Sequence, residues 1–352
     1  MTKIKNKISV IISAHERKDF IMDAINSVIE QTLDKNLYEI IVIKNFKDEK
    51  IDKFINSKKI KNLYYDSNKK SGIKNVDAIN NSTGNIICFL DDDDLFRKDK
   101  LQKVYDLFSD GKVGMYHNGR SVYYKNKIIE DQWEDGGVYH LTGKDKFTFE
   151  DKKFLSKHAF WFNTSSLSLR KDIIDTDILG KVSYTLDYYL AFIGINSRLD
   201  SIFDNDPLTI YRVHDTNMSF KNNYDYNSFC KFSGSYNTSR LTDQQELLNY
   251  MKGTKCECII NKYVLKKLLG YLLFSEEIKG ARLRYLVIST RLFNIDIKFK
   301  DFKGTAETFF GCILFLISKG LMRRVTYNLF YRKKFEKRDD ILKQVNNSEV
   351  HK

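Results

Sequence analysis

The sequence predicts an α/β fold: a mixed, mostly parallel sheet flanked by helices, followed by a helical C-terminal extension. Two observations carry this. Short runs rich in Ile, Val, Tyr and Phe alternate through the first part of the chain with segments of helical apolar spacing, the pattern of parallel strands joined by right-handed crossovers. From about Asn223 onward the spacing is helical, as in "NKYVLKKLLGYLLF" and "ARLRYLVISTRLF". The expected division is a first domain over 1–222 and a helical region over 223–352. With 352 residues and 42% hydrophobic content, the chain is long enough to bury a large core and carry an appendage.

The predicted strands are "ISVIIS" (8–13), "EIIVIK" (39–44), "NLYYD" (62–66) and "NIICFL" (85–90), nearly continuous in apolar character, as strands covered on both faces are. Between the first two, Phe20, Ile21, Ala24, Ile25, Val28 and Ile29 repeat at helical spacing. "DEKIDKFINS", "IKNVDAINNS" and "RKDKLQKVYDLFSD" are further helices. "GKVGMYHNG" and "SVYYKNKII" read as an antiparallel pair. A polar loop around "DQWEDGG", a strand "SSLSLR", a helix near "YTLDYYLAFIGI" and a strand near "LTIYRVH" close the sheet.

A formal net charge of +13 points to an anionic partner: nucleic acid, nucleotide phosphates or an acidic membrane. Many of the lysines stand singly among apolar residues, as on a solvated face. The basic cluster lies in the C-terminal helices with no recognition motif, which sets nucleic acid aside. The cysteines Cys88, Cys230, Cys256, Cys258 and Cys312 are scattered and lack zinc-ligand spacing, so reduced thiols in a cytoplasmic protein are expected. "MTKIKNKISVIIS" holds only a strand's length of apolar residues, too short for a signal peptide.

"FFGCILFLISKGLM" (309–322) is shorter than the roughly 20 residues a bilayer span needs and contains Ser318 and Lys319. Eight basic residues and one acidic residue lie between Lys319 and Arg338, interleaved with Tyr327, Phe330, Tyr331 and Phe335. Aromatic residues beside cations suit an anionic headgroup region. The expectation is a peripheral contact at the inner membrane face through 305–340; the bland alternative is a core helix followed by a solvated basic one.

The chemistry concentrates in "GNIICFLDDDDLF", where Asp91, Asp92, Asp93 and Asp94 follow an apolar strand. Adjacent carboxylates repel unless water, a cation or a basic neighbour screens them. On an extended strand Asp91 and Asp93 point to one side and Asp92 and Asp94 to the other. The carboxyl end of a parallel strand is where open α/β sheets bind ligands. Oxygen ligands favour a hard cation, Mg²⁺ or Mn²⁺, completed by phosphate and water. The residues therefore point to a metal-bridged nucleoside diphosphate.

"ISVIISAHERKDFIMDAINSVIEQTL", "YEIIVIKN" and "NSTGNIICFLDDDDLF" resemble the opening of a family 2 glycosyltransferase, an inverting enzyme of GT-A fold, from Ile8 to roughly Ser219. The resemblance implies a nucleotide-sugar donor on the parallel half, a glycan or lipid-linked acceptor on the other, and Mn²⁺ or Mg²⁺ between them. Asp91 would touch donor ribose or metal, Asp92 would lie at the donor, and Asp93 would be the main metal ligand, with His214 of "YRVHDTNMS" a third. The loop after the first strand, here Ser13, Ala14, His15, Glu16 and Arg17, would hold the nucleotide, joined by Lys74 and Arg212 at phosphate. Gly72 and Asn75 lie in the family's glycine-containing stretch with the register shifted. Asp187 in "SYTLDYYLAFIGI" matches the family's catalytic base, and desolvation under Tyr188 and Tyr189 would raise its pKa. Trp161 would be a platform for an acceptor sugar.

The chain also departs from the family. His15-Glu16 replaces a Tyr-Asn pair, Leu186 replaces the Glu before the base, and Lys44-Asn45 replaces an aspartate that reads uracil. A UDP-sugar is the expected donor, with GDP and dTDP donors left open. Two rivals remain: a metal-dependent nucleotidyltransferase, disfavoured because "SAHERKD" has no glycine, and a non-catalytic nucleotide or glycan-binding module of the same fold.

Overall fold

The computed structural model describes residues 6–66, 68–124, 127–131, 137–158, 160–214, 225–276 and 278–332. The chain opens with β1 (Ile8–Ala14), followed by α1 (Ile21–Ile29), β2 (Tyr38–Lys44), α2 (Glu49–Ser57), β3 (Lys61–Tyr64), α3 (Ser71–Asn80) and β4 (Ile86–Asp91). β1 lies between β2 and β4 and pairs in parallel with both, and β3 extends the row beyond β2. The apolar residues of β1 are buried because helices cover both faces of the sheet. Ile21, Ala24, Ile25 and Val28 of α1 pack on one of them. Each fully buried Ile or Val contributes about 1.5–3 kcal/mol relative to exposure.

Next come β5 (Leu95–Phe96), α4 (Lys100–Leu107), β6 (Val113–His117), β7 (Arg120–Tyr124), β8 (Lys127–Asp131), β9 (Val138–Leu141) and α5 (Phe149–Lys157). β10 (Leu167–Arg170), α6 (Thr176–Leu179), α7 (Leu186–Asn196), β11 (Asp200–Asp204) and β12 (Thr209–Arg212) follow. The main sheet has eight strands in the order β3-β2-β1-β4-β10-β6-β11-β9, and a second sheet has four in the order β5-β12-β7-β8. In the main sheet β10 is antiparallel to both β4 and β6.

The expected antiparallel pair of β6 and β7 does not form. β6 joins the main sheet, whereas β7 pairs with β12 and β8 in the second. The chain crosses between sheets at Asn118-Gly119. A Cβ on Gly119 would lie 2.4 Å from the carbonyl oxygen of Asn205, a close approach that requires glycine there. β12 likewise belongs to the second sheet rather than closing the first. β9 and β11, which fall outside the predicted strands, fill the far edge of the main sheet.

The chain divides into two compact units, Met1–Lys221 with Glu246–Glu257, and Asn222–Gln245 with Cys258–Lys352. The second is helical. Beyond α8 (Tyr226–Tyr250), whose last turn counts with the first unit, it contains α9 (Glu257–Phe274), α10 (Ala281–Lys298), α11 (Phe302–Ile317) and α12 (Lys319–Thr326). Tyr285 and Phe315 stack at 3.8 Å in a core with Leu272, Leu273 and Cys312. The fully buried ammonium of Lys262 pairs with Asp296 at 2.8 Å and Asp301 at 2.7 Å. The apolar run over 309–322 is broken at Ser318, which is extended; its hydroxyl accepts the N–H of Leu321 and starts α12. Among the described residues no helix is long and apolar enough to cross a membrane. The expected membrane segment runs partly outside the described residues, from 333 to 340.

Candidate active site

The carboxyl ends of β1, β2 and β4 meet the end of β12 and the start of α7, where open α/β sheets place ligands. At their centre is the acidic turn. β4 ends at Asp91, and the N–H of Asp94 donates to the Asp91 carbonyl at 3.1 Å, folding the four aspartates into a turn. The side-to-side alternation expected of an extended strand therefore stops at Asp91. Asp92 and Asp93 both reach Arg17: the Arg17 guanidinium bonds Asp92 and lies 2.7 Å from Asp93 Oδ2. The same Asp93 oxygen is 3.0 Å from Nε2 of His214, and Arg17 Nη1 is 3.3 Å from that nitrogen.

Asp94 faces the protein frame. Its Oδ2 accepts the Ser165 hydroxyl at 2.7 Å and its Oδ1 accepts the Arg212 backbone N–H at 3.1 Å. The Arg212 side chain donates to the Asp93 carbonyl and to Asp23, each at 3.1 Å, and rests over the Phe20 ring. Arg212 thus braces the turn from behind.

Gathering carboxylates in a dry place raises their proton affinity. Burial lifts Asp92 to about 6 against the opposing hydrogen bond and charge of Arg17. Burial and then Asp93 lift Asp94 to about 7. Asp91 is driven well above the usual carboxylate range by burial first, then by Asp94, Asp93, Asp92 and Asp187. The last of these shows that Asp187, in the first turn of α7, lies within electrostatic reach of the turn. Asp187 is half-buried, and its Oδ1 accepts the N–H of Tyr188 at 2.8 Å. Trp161 meets the Tyr188 ring edge-on at 5.2 Å and the Phe160 ring at 5.0 Å, packing beside the helix that carries Asp187.

The β1 loop is tied to its neighbours. Ser13, the residue of β1 that is not fully buried, accepts the Asp92 N–H through its carbonyl at 3.1 Å. Glu16 adopts φ 60° and donates its N–H to Asn45 Oδ1 at 2.7 Å, joining the β1 and β2 loops. His15 is exposed, with Nδ1 3.4 Å from Lys74 Nζ. Partial desolvation, and then the Lys74 charge, depress the His15 pKa. Lys44 is buried, pairs with Asp52 at 2.9 Å and lies over the rings of Phe46 and Tyr64. Gly72 packs α3 on α6: an added Cβ would sit 1.8 Å from the Leu179 carbonyl oxygen. The later part of the resemblance, from 215 to Ser219, lies outside the described residues.

The sequence reading missed the support beneath the turn. Ser165 Oγ accepts the Asp91 N–H at 3.0 Å while donating to Asp94. Asn163 orients it, accepting the Ser165 N–H at 2.8 Å from a left-handed backbone with φ 74°. Lys100 Nζ donates to the Ser165 carbonyl and, at 3.0 Å, to Thr209 Oγ1, and burial depresses its pKa to about 7. The signal in the sequence is Asn163-Thr164-Ser165, where an Asn side chain turns back onto the N–H two residues on.

For a metal, no group of three His, Cys, Asp or Glu side chains converges among the described residues. What converges is a pair, Asp93 Oδ2 and His214 Nε2, with Asp91 beside it and the Arg17 cation lying against both. A carboxylate suits Mn²⁺ or Mg²⁺, which keep several positions for phosphate and water, while the imidazole suits Mn²⁺ better than Mg²⁺. The Arg17 guanidinium supplies the positive charge paired with Asp92 and Asp93 here.

Residues 9–175 match the profile of Glycosyl transferase family 2. Over this span, a little under half of the chain, the sequence is similar to the family 2 glycosyltransferases. An uncharacterized glycosyltransferase of Rickettsia felis is 34% identical over 129 residues, 35% of this chain and 21% of that protein. The putative teichuronic acid biosynthesis glycosyltransferase TuaG of Bacillus subtilis is 26% identical over 35% of this chain and 50% of its own. Poly(ribitol-phosphate) beta-N-acetylglucosaminyltransferase TarP of Staphylococcus aureus is 24% identical over 53% of this chain and 62% of its own. The chain thus spans half or less of the length of the first two relatives. In fold it is similar to S. aureus TarS 1-349 in complex with UDP-GlcNAc, with TM-score 0.50 and 12% identity, covering 86% of this chain and 90% of that one. The family match ends before Asp187 and His214, so geometry alone brings these two to the acidic turn.

Proposed function

We propose that this chain transfers a sugar, with inversion, from a nucleoside-diphosphate sugar to a hydroxyl of a glycan or lipid-linked acceptor in surface polysaccharide or glycolipid assembly. The observation that carries the reading is Asp187, a half-buried carboxylate opening α7 and acting electrostatically on Asp91 of the acidic turn. That carboxylate lies within electrostatic reach of a cluster that we read as the diphosphate and cation site, and an in-line displacement would need the two on opposite sides of the reacting carbon. The UDP-GlcNAc of the TarS complex favours a UDP-sugar, and the names of the two relatives, one for teichuronic acid biosynthesis and one acting on poly(ribitol-phosphate), favour a polymer as acceptor or product. Lys44 is engaged by Asp52, so a base-reading role falls to other atoms of this loop, and GDP and dTDP donors stay in the test. On this reading the enzyme works in the cytoplasm, at the inner face of the membrane.

In the reaction, Asp187 holds the acceptor hydroxyl and takes its proton as the oxygen attacks the anomeric carbon. The bond from that carbon to the β-phosphate oxygen breaks, and its electron pair leaves with the nucleoside diphosphate. Asp93 and His214, with Asp91 beside them, would hold Mn²⁺ or Mg²⁺, which supplies charge stabilisation for the departing diphosphate. Arg17 adds a second cation at the same place, and Arg212 keeps the turn in position. On this reading His15 and Lys74 would meet the nucleotide, and Trp161, which packs on Tyr188 of α7, would meet the acceptor.

The Asp187→Asn variant tests the assignment. It should bind nucleotide sugar as tightly as the parent in calorimetry while turnover falls by about 10²–10⁴-fold. An Asn variant that stays active removes Asp187 from the mechanism. Chelation should abolish turnover, and a full rate in chelator would remove the metal from it.

A further inference from the structure

Helices on a soluble unit normally turn their apolar side inward. α11 does the opposite. Phe302, Phe310 and Ile317 are 79%, 63% and 65% exposed, and Phe309 and Ile313 lie on the same outward side. The inward side carries Gly304, Thr308, Gly311, Cys312 and Phe315. α10, packed against α11 through Tyr285 and Phe315, adds exposed Leu283, Leu286, Val287 and Ile297.

The charges around these residues have one sign. Exposed on α10 are Arg282, Arg284, Arg291 and Lys298, and Lys300 and Lys303 follow. Asp296 and Asp301, the two aspartates of this stretch, are drawn in to Lys262 and cancel little of that charge. From α10 through α11, Glu307 is the one exposed acid among the described residues.

We propose that the outward faces of α10 and α11 dock on an anionic lipid surface. Acyl chains take the phenylalanines and headgroup phosphates take the arginines and lysines, as in interfacial amphipathic helices. A second copy of the chain is a poorer occupant, because pairing through this face brings two basic rims together. The inference rests on the helical unit alone and stands whether or not the first unit transfers sugar.

The test is co-sedimentation of the full chain, without donor, with vesicles of phosphatidylcholine alone or mixed with phosphatidylglycerol. The chain should pellet with the mixed vesicles, much less with the neutral ones, and release as salt is raised. Phe309→Ser with Phe310→Ser, and separately Arg291→Glu with Lys298→Glu, should each weaken partitioning about tenfold or more. These side chains are exposed, so an unchanged melting curve is the control for folding. The parent protein staying in the supernatant with mixed vesicles at low salt overturns the proposal, as does equal binding to both kinds. A dimer in sedimentation velocity that the Phe pair dissociates, with no vesicle binding, assigns the face to a second copy instead.

Discussion

Asp94 shows how the acidic turn is held, because its carboxylate bonds Ser165 and the Arg212 backbone rather than facing outward. Its pKa of about 7 lies above its ordinary 3.8, so between those values the folded protein keeps a proton the unfolded chain has released. Stability of the ligand-free protein should therefore decline as pH rises from about 4 to about 7. Asp92, at about 6, acts in the same direction, while buried His117, lowered to about 4, acts oppositely between about 4 and 6.5. Asp94→Asn isolates the first effect: the stability of the parent relative to the variant should fall across that range in denaturant titrations. A flat difference would contradict the assignment. The four aspartates were legible in the sequence as a site, since such repulsion demands a cation. Their individual orientations were not, because they depend on a turn closed within the motif and on Arg17 and His214, far off in the chain. Ser165 and Lys100 escaped for the same reason, as their work is done only through contacts the fold creates.

Among the elements, α7 is the one that holds the proposed base, Asp187. It is apolar on every side and buried along its length apart from Asp187 and the terminal Asn196, so it belongs to the core and holds its first turn rigidly. Its sequence announces a buried helix. The path of β6 and β7 was hidden, because two adjacent strand-like runs look the same whether they pair with each other or leave for different sheets. What separates them is Gly119 against Asn205, a contact between distant residues. Gly72 is a similar case. Its sequence placed it in the family's glycine-containing stretch with the register shifted, and in the fold it lets α3 approach the carbonyl of Leu179. Gly72→Ala should lower stability by about 1–3 kcal/mol, measured by denaturant unfolding, since backbone cannot yield as a side chain can. An unchanged midpoint would show that α3 and α6 move apart freely.

At the scale of the whole molecule, the boundary expected near residue 222 meets a chain that returns. Glu246–Glu257 counts with the first unit, where Leu247, Met251 and Cys256 are buried and Tyr250 donates to Asp175 at 2.9 Å. A fragment ending at 222 should melt well below the full chain, because it loses these buried side chains, and supplying the 246–257 peptide in trans should raise its melting temperature. Equal melting of fragment and full chain would show that the returning segment adds little. The sequence could not reveal this return, as the segment is an ordinary stretch of helix end and turn whose partner lies some seventy residues back.

The central claim is that the acidic turn and Asp187 together move a sugar from a nucleoside diphosphate. The most direct measurement incubates the full chain and its Asp187→Asn variant with Mn²⁺ and a panel of UDP-, GDP- and dTDP-sugars, separating the products by chromatography. Slow release of free sugar and nucleoside diphosphate from one donor, suppressed in the variant, is the predicted result. Pyrophosphate release, or no turnover and no binding of any donor, would contradict it.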